Sequence, residues 1–227
     1  MSEADWFKTM DGNPQSDWFS EQSFFGSPIW FENAKEFLDD VDRVSSKYID
    51  MEKERLKEQI ELSNKFGMVY QSGGLEKLKE LATFTQYIGK RSWDFLDNQG
   101  FDLTNFNLIF KDMWCQEWSE NGGGFQDSHS HSNIHVTGFY FIKCSDKSSR
   151  PVFTDPRPGA IMTKLPLKST SSIVHGSENI NFIPQPGTIM LFNGYMPHSF
   201  PVVSGNAPLK FIHFNLQAIP KGVVHVI

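Results

Sequence analysis

The stretch FQDSHSHSNIHVTGFYF places His129, His131 and His135 on one parity. In an extended strand, residues two apart share a face, so His129 and His131 can aim their imidazoles at one point. His135 would lie roughly 20 Å beyond His129 at about 3.3 Å per residue, too far to share a metal with it. Two ligands hold a metal poorly, and catalytic sites usually supply three while leaving positions open for substrate. His198 is the third candidate, in PQPGTIMLFNGYMPHSFPVV, where a Pro-Gly turn feeds a strand, a loop and then a histidine opening another strand. Alone it reads as a loop residue. With an H-x-H pair 67 residues upstream and a lysine 12 positions on, it reads as the closing ligand. Asp127 is the nearest carboxylate and shares the strand parity, as an alternative ligand or a partner orienting an imidazole.

These residues need a frame. Asn33–Asn64 is charged and helix-prone, with Phe37, Leu38, Val41 and Val44 as an apolar stripe and Asn33 as N-cap. A second helix is expected over Leu75–Asp97, closed by Gly100. SFFGSPIWF (23–31) reads as a first strand. After Gly100 the texture changes to short Val/Ile/Phe/Trp runs separated by Gly, Pro, Asn and Ser. Strands are expected at 107–118, 134–143, 150–155, 179–184, 188–193, 199–203, 209–218 and 223–227. About eight short strands at this spacing argue for an antiparallel jelly roll. The expected fold is therefore α+β: a poorly ordered arm over 1–21, then one domain over 22–227. Within that domain 22–100 is mainly helical support and 101–227 a cupin-like jelly-roll core.

Composition narrows the function classes. Lys and Arg number 21 against 27 Asp and Glu, with no dense basic block, so binding driven by phosphate neutralisation is not expected. No run of about 18 apolar residues suggests a membrane span, and the acidic, aromatic N-terminus does not resemble a signal peptide. Cys115 and Cys144 form no CxxC pair and read as reduced thiols. A soluble cytoplasmic protein is the expectation. The arm and the helical layer are candidate surfaces for a homodimer.

The sequence also resembles the Fe(II)- and 2-oxoglutarate-dependent oxygenases, in a microbial, prolyl-hydroxylase-like branch. The resemblance runs from about residue 22 to 217. It is carried by SNKFGMVYQS (63–72), MWCQEWSENGGGFQDSHSHSNIHVTGFYFIK (113–143), VFTDPRPG (152–159), PGTIMLFNGYMPHSFPVV and IHFNL (212–216). It implies a double-stranded β-helix and a dioxygenase, most simply a hydroxylase. Its cofactors would be Fe(II), 2-oxoglutarate and O2, and its substrate a peptidyl residue such as proline, or a small molecule. The superfamily's usual triad is two histidines and one carboxylate; here the acid's position is His131, or Asn133 if the pair is shifted, and neither is an acid. Three neutral imidazoles leave a bound ion more positive and also suit Zn²⁺.

The remote carboxylate of 2-oxoglutarate implies a cation. Lys210 stands close to where the superfamily has a basic residue, on a face shared with Ile212, Phe214 and Leu216. The branch's arginine aligns one position earlier, at Leu209, which would turn Phe211, His213 and Asn215 inward instead; Arg157 of the Asp-Pro-Arg segment is then the candidate. Tyr140, Asn133 and Asn215 are further candidates for fixing cosubstrate or substrate. His175, His213 and His225 have no evident partner and read as structural. Two alternatives remain: a cupin-like three-histidine zinc hydrolase or isomerase, and a non-enzymatic jelly-roll binding module.

Overall fold

The computed structural model describes residues 25–163, 165–202 and 207–222. The arm expected over 1–21 and the strand expected over 223–227 lie outside them. The chain opens with strand β1 (Ile29–Asn33) and a 3₁₀ turn, then helices α1 (Leu38–Arg55) and α2 (Lys57–Ser63). A short strand β2 (Val69–Gln71) precedes helix α3 (Ala82–Asn98). Then come β3 (Phe106–Trp118), β4 (Gln126–His129), β5 (Val136–Lys143), β6 (Val152–Thr154), the five-residue helix α4 (Pro158–Met162), β7 (Asn179–Asn181), β8 (Thr188–Phe192), β9 (His198–Phe200) and β10 (Leu209–Pro220).

The strands form two antiparallel sheets, a six-stranded one in the order β1-β8-β5-β10-β3-β2 and a four-stranded one in the order β4-β9-β6-β7. The large sheet has two buried faces, each filled by alternate residues. Outward, Met113, Cys115, Tyr140, Ile142, Ile212, Phe214 and Leu216 meet Val41, Val44 and Ile49 of α1 and Phe84, Ile88 and Phe95 of α3. The i, i+3, i+8 and i, i+4, i+11 spacings of those helical residues are what place them on one stripe. Inward, Phe139, Phe141, Met190, Phe192, Leu209 and Phe211 meet Phe153 and Phe200 of the small sheet. This double burial explains why β5 reads as an unbroken apolar run instead of an alternating one. Gly138 belongs to that crowding: a Cβ there would sit 2.4 Å from the Met190 carbonyl oxygen.

The expected order of helical layer then jelly roll is observed, with shifted edges. The first strand begins at Ile29, and the long helix splits at Leu56 into α1 and α2. Asn33 does not cap α1; its side chain accepts the Lys35 N–H at 3.3 Å, and α1 begins at Leu38. Gly100 does close α3, with φ of +85° and its N–H on the Asp97 carbonyl. No helix among the described residues is long and apolar enough to cross a membrane.

Candidate metal centre

His129 ends β4 and His198 begins β9, and the two residues are partners in the antiparallel pairing of those strands. Their ring centroids are 4.4 Å apart. His131 follows in the loop after β4, with rings 5.1 Å from His129 and 5.2 Å from His198. One nitrogen from each of the three lies within 4.8 Å of the others, a grouping able to hold a metal ion.

Backbone carbonyls fix the tautomers on two of them. His129 Nδ1 lies 2.8 Å from the Asp127 carbonyl oxygen and His198 Nδ1 lies 3.0 Å from that of Met196. A carbonyl only accepts, so each Nδ1 carries the proton and each Nε2 is left with its lone pair, the form that binds a metal. The buried Nε2 atoms of His131 and His198 have no hydrogen-bond partner. Buried polar atoms are seldom left unpaired, so the orphaned nitrogens mark a place for an electrophilic guest. The donor set fits a divalent transition ion: three imidazoles, no thiolate and no competing cation.

His131 is set in place by the neighbouring loop. Its N–H donates to the Gly194 carbonyl at 2.8 Å. A Cβ at Gly194 would lie 2.4 Å from the Ile134 carbonyl oxygen, so the approach of the two loops requires glycine. Asn193, next to it, donates to the His135 carbonyl at 3.3 Å. Asn133 sits at the exposed tip with φ of +61°, a left-handed conformation that asparagine tolerates. Its role is therefore in the turn.

The surroundings are aromatic. Phe192 and Phe139 lie 4.9 and 5.7 Å from the His198 ring. Burial, reinforced by the neighbouring imidazoles, pushes His131 down to about 4 and His198 down to about 3, against a backbone hydrogen bond that raises the latter. Both are thus neutral and available as ligands at physiological pH. An open cleft of about 460 Å³ is lined by Phe153, Met196, Asp155, Arg157, His175 and Ile180, and the Phe153 ring is 6.2 Å from that of His198, which is not itself in the lining.

Several expected residues stand elsewhere. Lys210 is fully buried on the outer face of the large sheet, with its Nζ 2.7 Å from both Asp42 Oδ1 and Ser46 Oγ of α1. It faces the helices, away from the histidines, because one residue of strand parity separates the two faces. Tyr140 is on that outer face too, donating to the Ala34 carbonyl at 2.9 Å and packing on Phe84. Arg157 is half exposed and bound through two nitrogens to Asp155 at 2.9 and 2.7 Å. The Asp127 carboxylate is not in the metal group; that residue contributes its backbone carbonyl. His135 is apart from the group and accepts the Ala218 N–H at 3.1 Å.

The inward register of β10 is Leu209, Phe211, His213 and Asn215. His213, read as structural from the sequence, is 1% exposed and 5.0 Å from the His131 ring, and neither of its ring nitrogens has a partner. Trp114 stacks on it at 4.3 Å and 10°. Around it, Trp114 Nε1, Trp118 Nε1, Gln116 Oε1 and Asn215 Oδ1 are also buried and unpaired. Asn215 does hold its place on this face, donating to Asp112 at 2.7 Å. A sheet face with this many idle polar atoms beside the histidines suits a small polar guest such as a 2-oxo acid.

Comparison with known proteins agrees with this site. Residues 112–215, which span β3 to β10 and hold every residue of the histidine group, match the family described as "Putative 2OG-Fe(II) oxygenase". No curated protein sequence matches significantly. Among solved structures, EvdMO1 superposes with a TM-score of 0.55 at 12% identity, over 84% of this chain and 47% of that one. AviO1 from Streptomyces viridochromogenes Tue57 gives 0.54 at 10% identity, over 88% and 92%. A 2OG-Fe(II) oxygenase family oxidoreductase from Burkholderia pseudomallei gives 0.44 at 14%, over 65% of each chain. The family match covers the part of the chain that holds the histidine group, and the superpositions on AviO1 and EvdMO1 show a shared fold. Proteins of the matched family are oxidoreductases that use Fe(II), 2-oxoglutarate and O2.

Proposed function

We propose that His129, His131 and His198 hold Fe(II), and that the protein is a hydroxylase. The observation that carries the reading is the convergence of three imidazoles within 4.8 Å, two of them with Nε2 freed by a carbonyl on Nδ1. With 2-oxoglutarate the metal supplies the oxidising power: O2 and 2-oxoglutarate go to CO2 and succinate, one oxygen atom entering succinate and the other the substrate C–H bond. The chain's own part is positional. The Asp127 and Met196 carbonyls orient two ligands, Gly194 sets the third, and Phe139 and Phe192 keep water from the site. The substrate enters by the cleft lined by Phe153 and Met196, the Phe153 ring lying 6.2 Å from the His198 ring; its volume of about 460 Å³ admits a side chain presented by a peptide, prolyl among them, or a small molecule of similar size. A cytoplasmic setting accords with Cys115 and Cys144 both being free.

The test is turnover of 2-oxoglutarate. Purified protein given Fe(II), O2 and 2-oxoglutarate should form succinate, slowly even without its substrate, and His198→Ala should form none. Succinate from the variant at the unaltered rate would refute the ligand assignment.

A further inference from the structure

We propose that this chain anchors the 2-oxo acid cosubstrate on neutral N–H donors, His213 and Trp114, on the inner face of β3 and β10, where no described residue is a lysine or arginine. The inference rests on the metal centre proposed above and concerns how the cosubstrate's charge is met.

Residues that alternate onto the inner face of β3 and β10 are Asp112, Trp114, Gln116 and Trp118, and Leu209, Phe211, His213 and Asn215. None is basic. The lysine of β10 points the other way, into its pair with Asp42. Leu209, at the position where the resemblance calls for arginine, is 1% exposed within the aromatic inner core. A carboxylate entering this space finds its donors in the His213 and Trp114 N–H groups and no salt bridge; the unpaired Gln116 Oε1 and Asn215 Oδ1 are acceptors and cannot serve it.

His213 is suited to that task. It is buried, it adjoins His131 at 5.0 Å, and neither nitrogen has a partner. The flat stack with Trp114 fixes its plane, and Trp114 adds an indole N–H that is itself buried and unpaired. Its ring is 6.3 Å from His198, outside the group of three, so it sits beside the metal ligands without joining them. A neutral imidazole and an indole each offer one N–H. Hydrogen bonds to a charged acceptor in a dry site are about twice as strong as neutral ones.

Charge explains why a cation is dispensable. In the usual arrangement a divalent ion, one carboxylate ligand, a dianionic cosubstrate and one protein cation sum to neutrality. Here His131 stands in place of the carboxylate, so the ion and the dianion already balance. A buried arginine at residue 209 would be left uncompensated, which is costly. The histidine at residue 131 and the leucine at residue 209 are thus matched changes.

Calorimetric titration of the anaerobic, Fe(II)-loaded protein with 2-oxoglutarate tests this. His213→Phe keeps the aromatic stack but removes the donor, and Trp114→Phe removes the indole N–H. Each should weaken 2-oxoglutarate binding about tenfold or more, with bound iron and thermal stability unchanged, and His213→Gln should recover part of the loss. Wild-type affinity in both Phe variants would overturn the proposal. So would loss of iron from His213→Phe, which would make His213 a metal ligand. A wild-type protein that holds iron yet binds no 2-oxoglutarate would instead remove the functional reading beneath it.

Discussion

His129 and His198 are 69 positions apart in the chain and directly opposite each other across the β4–β9 pair, their rings 4.4 Å apart. Strand pairing, not sequence proximity, builds the metal group. His129→Ala and His198→Ala should each lower metal affinity by at least about 100-fold, since loss of outer partners alone costs 10–100-fold. His135→Ala, on the same strand parity but paired with the Ala218 backbone, should leave metal content unchanged. Metal analysis after anaerobic loading with Fe(II) decides between these outcomes.

His131→Asp restores the family's usual acid, and should not improve the protein. The added negative charge would lie beside the dianionic cosubstrate in its proposed place, on a face where no described residue is a lysine or arginine. Iron should still bind, while 2-oxoglutarate affinity should fall about tenfold or more, as like charges do in a dry site. Anaerobic titration measures both.

Lys210 and Asp42 make a buried ion pair that ties β10 to α1. Asp42→Ala strands a fully buried ammonium and should cost on the order of 2–3 kcal/mol, toward the low end because Asp42 is a third exposed. Lys210→Met should be much milder, because it fills an apolar face without an unpaired charge. Urea unfolding of the two variants should rank them in that order, with 2-oxoglutarate affinity unaffected by Lys210→Met.

The buried histidines give the metal-free protein a definite pH dependence. His198 is pushed down to about 3 and His131 to about 4 in the folded state, against about 6.5 unfolded. Below about 6.5 the unfolded chain takes up protons that the folded one refuses, so stability must fall with pH until the folded values are reached. The thermal midpoint of metal-free protein should drop between pH 7.5 and pH 5. In His198→Asn that drop should be shallower.

Much of this site was legible because its rules are local. The H-x-H spacing marks the pair, although His131 lies past the end of β4 and is placed by its loop and not by strand parity, and the Pro-Gly turn before β8 flags the loop that leads to His198. Parity explains the failures. The sequence points Lys210 and Tyr140 toward the cosubstrate, yet each lies one residue out of phase with the inner face, where Phe211 and Phe139 or Phe141 point. The Leu209 alignment carried the correct phase. Nothing in the sequence singles out His213, because its neighbours, Trp114 on β3 and His131 in the β4–β5 loop, are brought to it only by the assembled sheet. The helical layer was recognised from its stripes, whereas its boundaries were not: the 3₁₀ turn before Leu38 and the break at Leu56 have no strong signal in the residues there.

The central claim is that three histidines, without a carboxylate, make an iron centre that takes 2-oxoglutarate. The most direct test is the visible absorption spectrum of the anaerobic, Fe(II)-loaded protein as 2-oxoglutarate is added. The account predicts a weak charge-transfer band that saturates with 2-oxoglutarate and is missing from His198→Ala. Iron that stays bound without ever developing the band, or a site that holds Zn²⁺ and ignores 2-oxoglutarate, would contradict it.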